Sequence, residues 1–294
     1  MSTQTVRFKQ VDVFTSTAFR GNPLAVVFDA DSLDDAQMQS IARWTNLSET
    51  TFIVTPTDAD ADYRVRIFTP AGELPFAGHP TLGTAHALLE SGYRPKTPGR
   101  LVQQCGVGLV ELAGQHDGGW AFNAPPARFA PLPASQYDAL RAALASDAID
   151  FSAAPTAVNN GAPWLVVRMQ SADACLALAP DASALADVAH VAGARGLAAY
   201  GPHPAEGPAT FEVRCLKAGG SFGVGEDPVT GSANAAIAGL LTQQQRRPGA
   251  QYTARQGTVL GRDGRIRVTY DDAAGNTWIG GESVTVIDGT CRLP

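Results

Sequence analysis

Two short segments of the 294-residue chain combine residues that transfer protons with residues that bind anions. The first contains Gly78 and His79, and the second contains Asp227, Gly231 and Ser232. Each lies at the start of a predicted helix, where unpaired backbone N–H groups and a partial positive charge favour an anion. A glycine at such a place lets a ligand come close to the backbone. We therefore expect the two segments to hold one small carboxylate.

Three side chains in or near these segments have the chemistry of acids and bases. His79 is not a favoured helix cap and titrates near neutral pH, so it is a candidate for proton transfer. Asp227 precedes Pro228 at the predicted helix start, so a capping role and a chemical role both stay open. Glu49 lies between a helix end and a strand start, where either an exposed loop position or an apolar cleft is compatible with the sequence. In a cleft, its raised pKa would suit it to shuttle protons.

Motifs for metals, cofactors and serine nucleophiles are incomplete. The five histidines have no metal-ligand spacing, and the chain has no phosphate-binding loop. Residues 106–108 lack the third glycine of a dinucleotide-binding motif. Residues 219–223 match the pattern G-x-S-x-G, but no histidine follows them, since the last one is His203. We therefore expect neither a metal nor a cofactor.

The composition excludes several classes of partner. Lys and Arg number 22 against 28 Asp and Glu, and a net charge of −6 argues against nucleic acid. No run of 18 uncharged apolar residues is present, and the first 14 residues lack the apolar core of a secretory signal. The four cysteines are far apart and without a CxxC pair, as in reduced thiols. We expect a soluble cytoplasmic protein that binds a small molecule.

The chain also contains an internal repeat, and each copy of it includes one of the two segments. Val65–Ala87 and Val213–Ala235 are 148 residues apart and share seven identities over 23 ungapped positions. This alignment places His79 opposite Asp227. A second matching block, 21–27 against 161–167, precedes each copy in the same order, so we expect two copies of one structural unit.

Within each half the pattern alternates short strands with helices. Ser32 and Asp35 predict a capped helix start, and Asn46 predicts its end. Strands are predicted at 6–14, 24–28, 51–55, 63–68, 164–169, 211–216, 265–270 and 283–287. Helices are predicted at 80–90, closed by Gly92, and at 181–192 and 228–244. The proline cluster predicts a boundary near 125–133, between halves at 1–124 and 134–294.

Taken together, these residues resemble the PhzF family, the isomerases of phenazine biosynthesis and their relatives. The resemblance spans most of the chain and is carried by residues 21–26, 46–50, 68–70, 73–81 and 226–233. It implies an α+β, diaminopimelate epimerase-like fold of two pseudo-symmetric α/β domains. Each domain wraps mostly antiparallel strands around a central helix, with the active site in the cleft between the domains. The resemblance also implies a homodimer.

The resemblance implies a cofactor-independent isomerisation of a dihydro-3-hydroxyanthranilate-like substrate, a small cyclic amino- or hydroxy-carboxylate. Glu49 would be the general acid/base, with His79 and Asp227 beside the substrate. The substrate-binding residues would be Asn22, Gly78, Gly231 and Ser232. Moving a proton needs a tuned acid/base and preorganised charge, which agrees with this assignment.

Two alternatives stay open. Related epimerases and racemases use a pair of cysteines in the two loops, but neither loop here contains one. Cys215 aligns with Ile67 at a core strand position, so a two-thiol racemisation is disfavoured. Epimerisation with Glu49 as a single base is still compatible with the sequence. So is a non-catalytic protein that keeps the cleft to bind a metabolite.

Overall fold

The computed structural model describes residues 5–116, 118–220 and 223–293. These residues form eighteen β-strands and six α-helices, and the chain divides into two compact units. The first unit contains the residues up to Asn123 and those from Gly280 onward, and the second contains Ala124–Ile279. Among the described residues, no helix combines the length and the apolar character that a membrane span needs.

The elements follow one another as short strands with helices between them. The strands are β1 (Thr5–Val13), β2 (Asn22–Val27), β3 (Thr50–Val54), β4 (Tyr63–Phe68), β5 (Glu73–Leu74), β6 (Arg100–Cys105), β7 (Gly108–Gly114), β8 (Trp120–Asn123), β9 (Arg128–Pro131), β10 (Thr156–Asn159), β11 (Pro163–Arg168), β12 (Leu197–Pro202), β13 (Phe211–Gly220), β14 (Gly223–Asp227), β15 (Gln251–Gln256), β16 (Gly264–Asp271), β17 (Asn276–Gly281) and β18 (Ser283–Arg292). The helices are α1 (Asp35–Thr45), α2 (Gly78–Glu90), α3 (Tyr137–Leu144), α4 (Ala172–Leu176), α5 (Ala182–Val191) and α6 (Gly231–Gln243).

In the first unit, the strands surround α2. β18, β1 and β2 pair antiparallel, β2 and β3 pair parallel, and β3 pairs antiparallel with β4. β5 folds back on β4, β6 runs parallel to β4, and β7 and β8 follow antiparallel. Helix α2 packs against β1, β2, β3, β8 and β18, and ten of its thirteen residues are buried. Seven of these ten buried residues are apolar or glycine, as expected for a helix buried among strands, and the other three are His79, Thr81 and Thr84.

The second unit repeats this order of pairings. β9, β10 and β11 are antiparallel neighbours, β11 and β12 are parallel, and β12 pairs antiparallel with β13. β14 folds back on β13, β15 runs parallel to β13, and β16 follows antiparallel. Helix α6 packs against β10, β11, β12 and β16, and nine of its thirteen residues are buried. The mixed α/β fold thus contains one buried helix in each unit.

The hairpin after the fourth strand of each unit differs in length between the units. Ile67 is opposite Leu74 in the first unit, and Cys215 is opposite Asp227 in the second. Ile67 and Cys215 are 148 residues apart, whereas Leu74 and Asp227 are 153 apart. The second hairpin is therefore five residues longer, and Asp227 occupies the position of Leu74.

The longer hairpin changes which residues correspond at the helix starts. α2 begins at Gly78 and α6 at Gly231, which are also 153 residues apart. The ungapped alignment that placed His79 opposite Asp227 is therefore wrong. It extended the strand register through a hairpin whose length had changed, and Ser232 is the residue that corresponds to His79.

An arginine–glutamate pair ties each hairpin to its strand. Arg66 bonds Glu73 with an N–O distance of 2.7 Å, and Arg214 bonds Glu226 at 2.8 Å. The second pair is nearly completely buried, and Arg214 also donates to the carbonyl oxygen of Leu178 at 2.7 Å. A buried ion pair of this kind stays stable only when its remaining hydrogen bonds are satisfied.

Local signals predicted the ends of α1 well, with one error at its start. Asn46 ends the helix with φ = 53°, as predicted. The cap is Asp34, whose carboxylate accepts from the Gln37 N–H at 2.8 Å, while Gln37 accepts from the Asp34 N–H at 3.0 Å. The predicted cap, Ser32, instead lies in a preceding turn of 3₁₀-helix. Asp34 and Asp35 are adjacent, and either is a possible N-cap residue. Asp34 is the one with a glutamine three residues later, so it completes a capping box.

The last strand belongs to the first unit. β18 pairs antiparallel with β1 along its whole length, with Arg292 opposite Thr5 and Ser283 opposite Val13. The sequence-based division placed all of 134–294 in the C-terminal half, so the two divisions differ at this strand. Pairing between the two ends of a chain leaves no local signal in the sequence.

We expect His86 to make stability depend on pH. His86 lies on α2, with its Nε2 3.1 Å from the Thr285 hydroxyl, and burial lowers the pKa of its imidazole. A lowered pKa means that the unfolded chain binds the proton better, so the free energy of unfolding falls as pH drops below about 6.5. His86→Gln should reduce the difference in the free energy of urea unfolding between about pH 7.5 and about pH 5.5. The exposed His116, changed to Gln, should leave that difference as in the parent protein. An unchanged pH dependence in His86→Gln would contradict the assignment.

Candidate active site

Three predicted site residues meet at the start of α2. His79 is the second residue of α2, Asn22 is the first residue of β2, and Glu49 immediately precedes β3. Because β2 and β3 are parallel neighbours, with Ala25 opposite Thr50, both strands begin at the same end of the sheet. Helix α2 packs on both strands, which brings His79 to that end.

The imidazole of His79 lies between the other two side chains. Its Nε2 is 3.4 Å from Glu49 Oε2, and its Nδ1 is 3.3 Å from Asn22 Nδ2. Asn22 is fully buried, and the side chains of His79 and Glu49 are only 6% and 13% exposed. The structure thus decides against an exposed loop position for Glu49.

The contact with Asn22 determines which nitrogen of His79 carries the proton. An amide nitrogen only donates hydrogen bonds, so Nδ1 of His79 is the acceptor. The proton of the neutral imidazole is then on Nε2, the nitrogen that faces Glu49. A carboxylate beside an N–H donor in a largely buried pocket can accept and return a proton.

Local backbone geometry positions Asn22 and Glu49. A Cβ atom at Gly21 would lie 2.2 Å from the Val13 carbonyl oxygen, so only glycine allows the chain to enter β2 at this point. The Gly21 N–H donates to the buried Asp12 carboxylate at 3.0 Å. On the other side, the left-handed Asn46 redirects the chain from α1 toward Glu49 and β3.

In the second unit, Asp227 ends β14 beside a lysine. Asp227 Oδ2 is 3.4 Å from the Lys217 ammonium on the neighbouring strand β13. Helix α6 begins at Gly231 with Thr230 as its N-cap residue, so Asp227 does not cap it. The capping alternative is therefore wrong, because the turn from β14 to α6 is longer than the sequence suggested. Lys217 has no motif of its own, so the sequence did not predict it as a site residue.

Ser232 is held by two buried residues that the sequence analysis also missed. The Trp164 indole N–H donates to the Ser232 hydroxyl at 3.1 Å, and the Asn160 amide donates to its carbonyl oxygen at 2.9 Å. Because the hydroxyl oxygen accepts from the indole, its own proton is oriented toward other acceptors. The sequence block at 161–167 includes Trp164 of strand β11. The sequence indicated this block as part of the repeat and not as part of a site.

Both central helices begin without a side-chain cap. The N-cap residues are Ala77 for α2 and Thr230 for α6, and among the described residues neither forms a side-chain bond to its helix. The first-turn N–H groups at Gly78 and at Gly231 are therefore oriented as in anion-binding helix starts. These are the two glycines predicted to hold a carboxylate.

The two buried cysteines are poorly suited to thiol chemistry. Cys215 is fully buried, and burial strongly raises the pKa of its thiol, as it does for Cys175. A thiol in this state is a poor nucleophile and base. In the described parts of the chain, no three His, Cys, Asp or Glu side chains form a group suited to a metal ion. Ser221, the serine of the G-x-S-x-G match, lies outside the described residues.

Comparison with known proteins supplies the family. Residues 11–289 match PhzC-PhzF, described as Phenazine biosynthesis-like protein. The chain belongs to this family. The PhzF resemblance found in the sequence is thereby confirmed.

Relatives of this PhzF-family chain cover nearly its full length. It is 38% identical to Antisense-enhancing sequence 1 of Schizosaccharomyces pombe, over 96% of this chain and 97% of that one. It is 35% identical to the trans-2,3-dihydro-3-hydroxyanthranilate isomerase of Pseudomonas aeruginosa, over 96% and 94% of the two chains. The crystal structure of a PhzF-family phenazine biosynthesis protein from Bacillus anthracis shares the fold, with a TM-score of 0.83, 23% identity and coverage of 98% and 99%. As its relatives' names indicate, this PhzF-family member is an isomerase.

The proton position on His79 is directly measurable. We expect ¹⁵N NMR to show a protonated Nε2 and an unprotonated Nδ1 in the neutral imidazole, because Asn22 donates to Nδ1. In Asn22→Leu the donor is lost, and a mixture of the two tautomers should replace the single one. A protonated Nδ1 in the parent protein would contradict the assignment.

Proposed function

We propose that this PhzF-family isomerase moves a proton on a small cyclic amino- or hydroxy-carboxylate of the dihydro-3-hydroxyanthranilate type, with Glu49 as general acid/base. The observation that carries the proposal is the largely buried Glu49 carboxylate 3.4 Å from the His79 imidazole. The substrate class is supported by relatives at about 35% identity that are named trans-2,3-dihydro-3-hydroxyanthranilate isomerase.

The proposed reaction balances without a cofactor. Glu49 takes a proton from a ring carbon, and the C–H electron pair moves into the ring as a double bond shifts. The protonated Glu49 then returns the proton to another carbon, so no electrons are gained or lost overall. The Nε2–H of His79 stabilises the Glu49 carboxylate at the beginning and end of the cycle.

The second unit is proposed to contribute substrate-binding groups. The N–H groups at Gly231 and the Ser232 hydroxyl are donors suited to the substrate carboxylate, as are the N–H groups at Gly78 in the first unit. The Asp227 carboxylate is an acceptor suited to an amino or hydroxyl group of the substrate. This assignment rests on the family resemblance and on the local geometry within each unit.

We also infer that the two units descend from one duplicated unit. The same order of parallel and antiparallel pairings, an arginine–glutamate pair at each hairpin and a buried central helix of equal length support this inference. The homodimer and the cytoplasmic location stay predictions, which sedimentation and cell fractionation would test.

The role of Glu49 is tested by hydrogen exchange. With dihydro-3-hydroxyanthranilate in deuterated water, the parent protein should introduce deuterium at carbon during isomerisation. Glu49→Gln keeps the size of the side chain but cannot accept the proton, so the rate should fall at least about 100-fold. The matched control is Glu111→Gln, on the exposed face of β7, which should exchange at the parental rate. If Glu49→Gln exchanges as fast as the parent, Glu49 is not the base.

A one-base epimerase is the second candidate, favoured by the uncapped helix start in each unit. Double-bond migration and stereoinversion give different compounds, so chiral chromatography of the products separates them. We expect a constitutional isomer with an unchanged configuration at any untouched stereocentre. A product that differs from its substrate only in configuration would establish epimerisation instead. Binding of the substrate with neither exchange nor product would leave a metabolite-binding protein.

A further inference from the structure

A single buried glutamine holds the segment that leads from β14 into α6. Gln256 ends β15 and is completely inaccessible to solvent. Its carbonyl oxygen accepts from the Thr230 N–H and from the Asn234 amide, both at 3.0 Å. Its amide nitrogen donates to the Asp227 carbonyl oxygen and to the Thr230 hydroxyl, both at 2.9 Å. All four bonds therefore go to residues 227–234.

The bonds from Gln256 keep Thr230, a favourable N-cap residue, from capping α6. Threonine is a favoured N-cap because its hydroxyl oxygen accepts from an N–H of the first turn. Thr230 is the N-cap residue of α6 but forms no such bond, since its hydroxyl oxygen accepts from Gln256 instead. This contact orients the hydroxyl toward Gln256 rather than toward the helix.

The first unit reaches the same result by other means. The N-cap residue of α2 is Ala77, which has no polar side chain. The fully buried Gln103 lies on β6, the strand of the first unit that is equivalent to β15. Its amide donates to the hydroxyl of Thr81 at 2.9 Å. Thr81 and Asn234 are the fourth residues of their helices. In both units a buried glutamine thus anchors the first turn from the side, and among the described residues the N-cap side chain forms no bond to that turn.

We propose that Gln256 is a positioning residue that keeps the start of α6 open for the substrate carboxylate and holds the backbone at Asp227. The proposal rests on the function proposed above, which uses Gly231 and Ser232 to bind that carboxylate. Without Gln256, the Thr230 hydroxyl turns toward the first turn of α6 and takes the N–H groups that the carboxylate needs. A purely structural glutamine would affect stability but not anion affinity.

The test measures anion binding directly and needs no turnover. Benzoate serves as the probe, and its dissociation constant is taken from the ¹H–¹⁵N shifts of the Gly231, Ser232 and Ala233 amides of the full chain. Gln256→Met removes all four bonds while keeping the side-chain length. We expect benzoate to bind about fivefold more weakly, the factor that corresponds to one N-cap hydrogen bond.

A second substitution separates capping from general damage. In Gln256→Met/Thr230→Ala no hydroxyl is left to cap α6, as at Ala77 in α2, so benzoate affinity should return to within about twofold of Thr230→Ala alone. Tyr270→Phe is the matched control, because it removes a buried bond to Ala238 in the last half of α6. It should lower the melting temperature without changing benzoate affinity.

If Gln256→Met does not fold, Gln256→Leu replaces it, since it also removes all four bonds without adding a charge. It should weaken benzoate binding to the same extent. The proposal is overturned if benzoate leaves the three amides of the parent unshifted, if the foldable variant binds like the parent, or if Thr230→Ala fails to restore affinity. Failure of the Glu49 exchange test would overturn the proposed reaction alone, because benzoate binding does not depend on proton transfer.

Discussion

The structure of each unit depends on a helix that is buried among strands and yet begins without a cap. An uncapped helix start leaves backbone N–H groups that need a partner, and burial makes their isolation costly. In α2 and α6 the anchoring comes from the side, through Gln103 and Gln256. In the first unit the Tyr63 hydroxyl donates to Gln103, and the Thr81 hydroxyl donates to the Ala77 carbonyl oxygen. The helix starts are thereby held in place, and in the part of the chain that the structure describes no N-cap side chain bonds to them.

This arrangement needs a chain with few charges. Only 17% of the residues are charged, and the two central helices contain none at their buried positions. Two cations that do enter the interior, Lys9 and Arg214, are paired. The nearly inaccessible Lys9 contacts Glu90 and Asp288, and Arg214 contacts Glu226. A helix wrapped by strands on all sides would not tolerate an unpaired charge.

The two units have the same order of strand pairings but differ in one hairpin and in the residues at their helix starts. The hairpin that contains β14 is five residues longer than its counterpart, and Asp227 stands where the first unit has Leu74. At the helix starts, Ser232 stands where the first unit has His79. The first unit thus holds an imidazole beside a carboxylate, and the second holds a hydroxyl and an aspartate–lysine pair.

The sequence by itself determined the features that depend on local or periodic signals. The repeat predicted equivalent strands in both halves, Asn46 and Gly92 predicted helix ends, and the helices predicted at 80–90 and 228–244 lie within three residues of α2 and α6 at their starts. These succeed because backbone preferences act over a few residues. Only the tertiary structure decided that Glu49 lies against His79, that Lys217 accompanies Asp227, and that β18 joins β1. It alone showed Gln103 and Gln256, since a hydrogen bond between residues more than 20 positions apart leaves no pattern in the residues between them.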